Sequence, residues 1–320
     1  MPRLIAFGAV LSLLAQDASF GLPPPPMYWN SLTFSDDGRT IASAGGTIEV
    51  WDTETGKLER TLSGHREPAT SVAFSPGGKV LASGGYDRMV RVWNAKTGKL
   101  QRQLAGHSQW VTSVAFSPDG KTIVSAGFDH KVNLWDTQTG KLQRTITEQG
   151  EVTSVSFSAD GKILASVARA EIPVVRLWDP QTGRLRRMQK GHRAIDFAVF
   201  SPDGKKLAAA GGTTVILWGM QTHELTRTLE HSGSPCRMSF SPDGNTLAVG
   251  GGAFVTLWNL QTGKQRWKLD AGHVNSVVFS PDGSTVAIGA FKAAPSGLEW
   301  NYDLNLHDVE TARRLRALRR

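Results

Sequence analysis

The chain has 320 residues, 40% of them hydrophobic and 34 of them glycine, and carries a formal net charge of +8 from 36 Lys and Arg against 28 Asp and Glu. This is a globular, turn-rich composition, and Cys236, the only cysteine, excludes a disulfide framework within one chain. The basic excess raises nucleic acid or an acidic partner, but most of these residues recur at equivalent places along the chain, so charge alone selects no partner.

Residues 1–27 stand apart from the rest of the chain. Arg3 precedes an apolar stretch over 4–15, then come Gln16, Asp17 and the four prolines at 23–26. One basic residue before an apolar run resembles a secretory leader, although the cleavage pattern near Ala15 or Ala18 is poor, and the run is short for a membrane span. An extra strand or cap on the folded domain is the next reading, and a disordered or misassigned start the third. Localisation is therefore cytoplasmic or exported according to the fate of residues 1–18, and membrane association stays open.

From residue 28 onward the chain repeats. Phe34, Phe74, Phe116, Phe157, Phe200, Phe240 and Phe279 each open an FS-x-x-G turn, at spacings of 40, 42, 41, 43, 40 and 39 residues. Trp51, Trp93, Trp135, Trp178, Trp218 and Trp258 keep the same beat. A period near forty is a repeat architecture, and it overrides the two-domain expectation from length. One domain over residues 28–318 is expected.

Residues 106–147 show the unit. Residues 111–117 alternate, Val114 and Phe116 on one face and Ser113, Ala115 and Ser117 on the other, which is strand periodicity. Pro118, Asp119 and Gly120 supply a tight turn. Strands follow over 122–126, 131–135 and 141–147, separated by turns at Phe128 to His130 and Thr137 to Gly140. Such a four-stranded meander cannot bury both faces alone, so copies must stack around an axis.

The Gly-His dipeptides, the turn aspartates and the Trp-Asp endings together resemble the WD-repeat family over residues 28–318. The resemblance implies an all-β fold, a seven-bladed β-propeller of four-stranded antiparallel blades. It also implies a buried hydrogen-bonded chain of His, Ser or Thr, Asp and Trp. The complete set occurs twice, as His65, Ser83, Asp87 and Trp93 and as His107, Ser125, Asp129 and Trp135, with 22 residues from His to Asp and 6 from Asp to Trp in both. Elsewhere it is incomplete. His192 and His273 keep the Gly-His dipeptide, while Gln149-Gly150 and His231-Ser232 have drifted.

The histidines belong to different blades and form no close cluster, so neither a metal nor a cofactor is expected. Ser, His and Asp also recur together as in a nucleophilic triad, but the repeat and the Trp account for the same residues. No enzymatic activity is expected.

The seventh repeat departs most. From Phe279 to His307, which holds the Trp slot, is 28 residues against 17 to 21 elsewhere, and the excess reads FKAAPSGLEWNY. A long turn is expected there, and Phe291, Lys292 and Trp300 are candidate binding residues on it. On the rim holding the Gly-His loops and Asp turns, Arg66, Tyr86, Arg88, Trp110, Phe128 and His130 are candidate partner contacts, with Arg169 and Phe254 in later blades. Fourth-strand arginines, Arg60, Arg102, Arg144, Arg187, Arg227 and Arg266, are expected to blunt sheet edges.

The resemblance implies a monomeric, non-catalytic scaffold for a protein or peptide. An enzyme or small-ligand-binding propeller, using the central channel or the seventh-repeat loop, is the alternative. Without a recognition helix, zinc finger or aromatic single-strand channel, nucleic-acid binding is not expected.

Overall fold

The computed structural model describes residues 31–191, 194–233, 235–293 and 300–318. The expectations for residues 1–27, and His192, lie outside the described residues. Seven four-stranded antiparallel sheets form, each from four strands consecutive in sequence. The blades span residues 32–62, 69–105, 111–147, 151–190, 197–230, 235–270 and 273–318.

Local chemistry sets each turn. In the third blade Ser117 Oγ donates to Asp119 Oδ1 at 2.6 Å, that carboxylate accepts from the Lys121 amide at 3.0 Å, and Gly120 takes φ +69°. The same Ser-Asp bond recurs at Asp37, Asp160, Asp203, Asp243 and Asp282. The residue after the Trp has a separate task. Asp136 Oδ1 accepts from the Thr139 amide at 2.6 Å and its hydroxyl at 2.7 Å, closing the last turn, and Asn94 does the same for Thr97. Either Asp or Asn serves, since only an acceptor oxygen is needed.

Hydrophobic cores form between blades rather than within them. Val90 and Val92 of the second blade pack with Val111, Val114, Ile123 and Trp135 of the third, all buried. The innermost strands are also linked by serines. Ser71 Oγ accepts from the Val114 amide at 3.1 Å, Ser113 Oγ from Val155 at 3.4 Å, and Ser154 Oγ donates to the Ala198 carbonyl at 3.3 Å.

Among the described residues the ring closes without a strand exchanged between its first and last blades. Ser276 Oγ accepts from the Leu32 amide at 3.1 Å, and Leu32, Phe34, Ile41 and Trp51 pack on Ala287, Leu304, Leu306 and Leu318.

The seventh blade corrects the expectation of a long turn. Its second and third strands, Thr285–Ala293 and Trp300–Asp308, stay paired from Thr285 opposite Asp308 to Ala293 opposite Trp300. Residues 289–293 and 300–304 extend the ladder, which keeps their backbone groups hydrogen-bonded.

Candidate functional site

The Gly-His loops and the Asp turns meet on one face because each aspartate ties both together. Asp87 Oδ2 accepts from the Arg66 amide at 3.0 Å and Oδ1 from Met89 at 3.3 Å. Asp129 does the same with Ser108 at 2.9 Å and Lys131 at 3.2 Å. The turns place Arg88 and His130 at φ +66° and +64°, the left-handed region, two residues before the third strand resumes its pairing. Glycine precedes each histidine because a Cβ on Gly64 or Gly106 would lie 2.8 or 2.7 Å from the Trp93 or Trp135 ring.

Beneath the face the two sets of four residues come together. His65 Nδ1 lies 2.9 Å from Asp87 Oδ1 and its Nε2 2.8 Å from Ser83 Oγ, which accepts from Trp93 Nε1 at 2.9 Å. His107, Asp129, Ser125 and Trp135 repeat this at 2.9, 2.8 and 2.8 Å. Burial alone would push the Asp87 and Asp129 carboxyls up. The His65 and His107 hydrogen bonds and the backbone amides outweigh it and hold both below the usual carboxylate range, with Arg91 adding to Asp87 at 2.6 Å. Ser83 and Ser125 are fully buried, and their hydroxyls face the indoles, away from solvent.

Two further blades fill the histidine slot in ways the dipeptide pattern hides. Glu148 stands 18 residues before Ser166, the separation of His65 from Ser83. Ser166 Oγ donates to Glu148 Oε1, Trp178 Nε1 donates to Ser166 at 2.7 Å, and Arg176 lies 3.1 Å from Glu148 Oε2. A buried ion pair thus stands where His and Asp stand elsewhere. In the sixth blade His231 lies 18 residues before Val249. Val249 occupies the serine position, opposite Thr256 in the ladder as Ser83 is opposite Arg91; Trp258 Nε1 is buried without a hydrogen bond among the described residues, while the His231 ring turns to the backbone of Gly233 and Val249. The 18-residue spacing, not the dipeptide, was the signal for Glu148 and His231. His273, by contrast, opens the strand His273–Phe279 and pairs with Phe291.

Above this network runs a row of rings. Tyr86 and Trp110 have centroids 4.7 Å apart at 61°, and Trp110 and Phe128 5.6 Å apart at 35°. The Arg169 guanidinium sits 5.9 Å from the Phe128 centroid. All three aromatics are half-buried, while Arg66, Arg88 and His130 around them are exposed. Tyr86, Phe128 and Arg169 each stand 12 residues after the first-strand Phe of their blade; that position is Gly46, Gly212 and Gly252 in the first, fifth and sixth blades. The row is thus confined to blades two to four. In the seventh blade the position is Phe291, which is buried with its ring 5.5 Å from Tyr302, so it braces the hairpin and presents no surface. The side chains of Lys292 and Trp300 lie outside the described residues.

The central cavity is about 350 Å³ and is lined by first-strand residues. At the position of Ser71 and Ser113 the fifth and sixth blades carry Phe197 and Arg237, whose guanidinium lies 5.0 Å from the Phe197 centroid. Among the described residues no three His, Cys, Asp or Glu side chains stand together as a metal site.

Residues 28–172 match the family model described as the IFT122 first beta-propeller, and residues 183–219, 223–259 and 263–291 match the WD domain, G-beta repeat. The chain is similar to Meiotic recombination protein rec14 of Schizosaccharomyces pombe, 44% identical over 61 residues, 18% of this chain and 20% of that protein. It is similar to the Periodic tryptophan protein 2 homolog of Neurospora crassa, 42% identical over 60 residues, 18% of this chain and 7% of that protein. WD40 repeat-containing protein HOS15 of Arabidopsis thaliana is 49% identical over 45 residues, 13% of this chain and 7% of that protein. The matched segments span a fifth or less of these relatives' lengths.

Proposed function

Because the chain belongs to the WD40-repeat family, whose propellers typically mediate protein–protein interactions, we propose that it is a non-catalytic scaffold that binds a protein or peptide through the Tyr86, Trp110 and Phe128 row. The observation that carries this reading is that large side chains are half-buried at this position in three adjacent blades, where three others have glycine and the seventh has the buried Phe291. Core packing and ring closure require no such asymmetry, since the blades with glycine close equally well. Half-buried aromatics edged by Arg66, Arg88 and His130 supply large contact area on stiff side chains, the composition that dominates binding energy at many interfaces.

The test is a random-peptide display selection against the full chain, with affinities of the enriched peptides measured by calorimetry. Trp110→Ala combined with Phe128→Ala is expected to weaken binding by at least tenfold with an unchanged melting temperature. Peptides that bind the double variant as tightly as the parent defeat the reading.

A second reading draws on Phe197 and Arg237, which interrupt the serine pattern of the channel. It would make the channel a small-anion site. A thermal-shift screen of small carboxylates and phosphates against parent and Arg237→Ala decides it.

A further inference from the structure

We infer that the outer edge of the fourth blade, the strand Leu185–Lys190, is a second docking surface, and that its occupant is an extended segment of alternating apolar and acidic residues that adds to the sheet as a fifth strand. This surface is separate from the aromatic row and does not depend on that reading.

The sheet ends at this strand. Among the described residues it pairs on one side only, with Val174–Trp178, so its outward N–H and C=O groups have no strand to meet. The ladder skips Arg186. Leu185 is opposite Trp178 and Met188 opposite Arg176, on the sheet face that meets the third blade, while Arg187 is opposite Leu177 on the face that meets the fifth. Leu185 and Met188 are 44% and 50% exposed, and among the described residues no other fourth strand carries two exposed large apolar side chains.

Charge sets the edge apart as well. Arg184, Arg186, Arg187 and Lys190 are all exposed. Asp179 is taken by Arg186, and Glu224, the exposed carboxylate of the adjoining turn in the fifth blade, forms no ion pair with the other three among the described residues. The fourth strand of the seventh blade is also basic, but the cavity beside it brings Asp36, Asp37, Glu54 and Asp282 to Arg316. In the first blade Glu59 pairs with Arg60.

One residue of the next blade keeps Arg187 available. Arg60, Arg144 and Arg227 stand at the same register position and reach carbonyls of the next blade's outer turn. They pass over a glycine of that turn: a Cβ on Gly98 would lie 3.5 Å from Arg60 Cδ, one on Gly183 2.9 Å from Arg144 Cδ, and one on Gly263 against the Arg227 guanidinium. In the fifth blade the position is His223, at φ +60°, whose Cβ fills that path. Burial, and then the nearby Arg187, hold the His223 imidazole below its usual range, and Arg187 itself makes no hydrogen bond or ion pair among the described residues.

These features specify the occupant. In an added strand the residue opposite Met188 shares its face and the residue opposite Arg187 shares the other, so apolar and acidic side chains alternate. A second copy of this edge would set arginine against arginine, and a basic strand is repelled. An amphipathic helix has its backbone groups paired within itself and cannot use the edge. A nucleic acid would meet the cations through its phosphates but leave Leu185, Met188 and the strand's backbone groups uncovered.

The experiment is calorimetry on the full chain with a short peptide alternating valine and glutamate. Beside it are its valine–lysine counterpart, two versions N-methylated at the valine or at the glutamate amides, and an oligothymidylate. The valine–glutamate peptide is expected to bind at least tenfold tighter than the lysine counterpart and than at least one N-methylated version, and to slow hydrogen exchange in Leu185–Lys190. Met188→Asp and Arg187→Glu, both at exposed positions, are each expected to weaken it at least tenfold, and Trp110→Ala to leave it unchanged. His223→Gly opens the path across the seam, so Arg187 is drawn to the turn carbonyls; affinity is expected to fall about threefold while the melting temperature rises. Equal binding of both N-methylated versions, or unchanged exchange in the strand, means attraction by charge alone and overturns the inference. Oligothymidylate that binds more tightly than the peptide and depends on Arg187 overturns it in favour of a nucleic acid. Loss of peptide binding in Trp110→Ala overturns it in favour of the aromatic row, while failure at this edge leaves the row's own test untouched.

Discussion

The Trp267 indole N–H donates to the Val309 carbonyl at 2.7 Å, across the seam from the sixth blade to the seventh. Arg60 Nη1 makes the same crossing to the Ala95 carbonyl at 2.9 Å, from the first blade to the second. The positions are equivalent: Arg60 pairs with Val50 and Trp267 with Leu257, each one step before the bulge at the blade's Trp. Arg144 reaches the Thr182 and Gln181 carbonyls at 3.0 and 2.6 Å, and Arg227 reaches Gln261 at 3.4 Å. These fourth-strand side chains hold the outer turn of the next blade, a different task from the edge protection expected of the arginines.

Trp267→Ala removes both a half-buried ring and the bond to Val309, so a loss of about 3 kcal/mol in urea unfolding is expected. Trp267→Arg should recover at least half of that loss, because arginine makes this crossing in other blades. Equal destabilisation by the two substitutions would show that only ring packing matters at the seam.

Val249 strands the Trp258 indole N–H. Trp258 Nε1 is buried without a partner among the described residues, and Ser83 and Ser125 accept the equivalent N–H and bridge it to the histidine in the second and third blades. Val249→Ser sacrifices apolar burial but supplies the bridge; Val249→Ala sacrifices burial and supplies nothing. The serine variant is expected to be more stable than the alanine variant by about 2 kcal/mol, measured by denaturant midpoint at constant slope. A serine variant no more stable than alanine means the indole N–H is already satisfied.

What the sequence made legible was local or strictly periodic. The tight turns depend on Ser, Asp and Gly within a few residues, and the four-residue networks on fixed offsets from His65 to Asp87 and Trp93. Glu148 escaped because a carboxylate does not look like the imidazole it replaces, although its distance along the chain to Ser166 is the same. The Trp267 crossing escaped because its acceptor is 42 residues away on another blade. The seventh-blade hairpin looked like a loop because strand pairing beyond the usual repeat length is decided by the partner strand, not by residues 289–293 alone.

Asp87 gives a pH signature. Its folded carboxyl is held low: burial raises it, but the bonds from His65, the Arg66 amide and Arg91 more than compensate. The unfolded chain protonates near the ordinary value of about 3.9, so the stabilisation is complete above that pH and is lost as pH falls below about 4 toward the depressed folded value. Asp87→Asn is expected to cost about 3 kcal/mol at pH 7, since it leaves Arg91 buried without its counter-charge. The gap between the melting temperatures of parent and variant should narrow progressively below pH 4. A gap independent of pH, or none at pH 7, contradicts the buried charged role.

Asp196 behaves in the opposite sense. Burial pushes its carboxyl up, and Arg169 and Arg237 only partly offset that. Arg169 Nε lies 3.8 Å from Asp196 Oδ1 while its guanidinium also ends the aromatic row at Phe128. Removing that cation by Arg169→Ala is expected to raise the Asp196 carboxyl further, read directly by carbon NMR titration of the carboxyl. Since the folded state then binds its proton more tightly than the unfolded chain, ionised Asp196 costs stability above its folded pKa, and the cost disappears as pH falls through the unfolded value. Asp196→Asn should accordingly stabilise the Arg169→Ala protein at pH 7 more than it stabilises the parent, and the advantage should vanish in acid. An Asp196 titration that does not move in Arg169→Ala would mean that Arg237 alone sets the charge at this point of the rim.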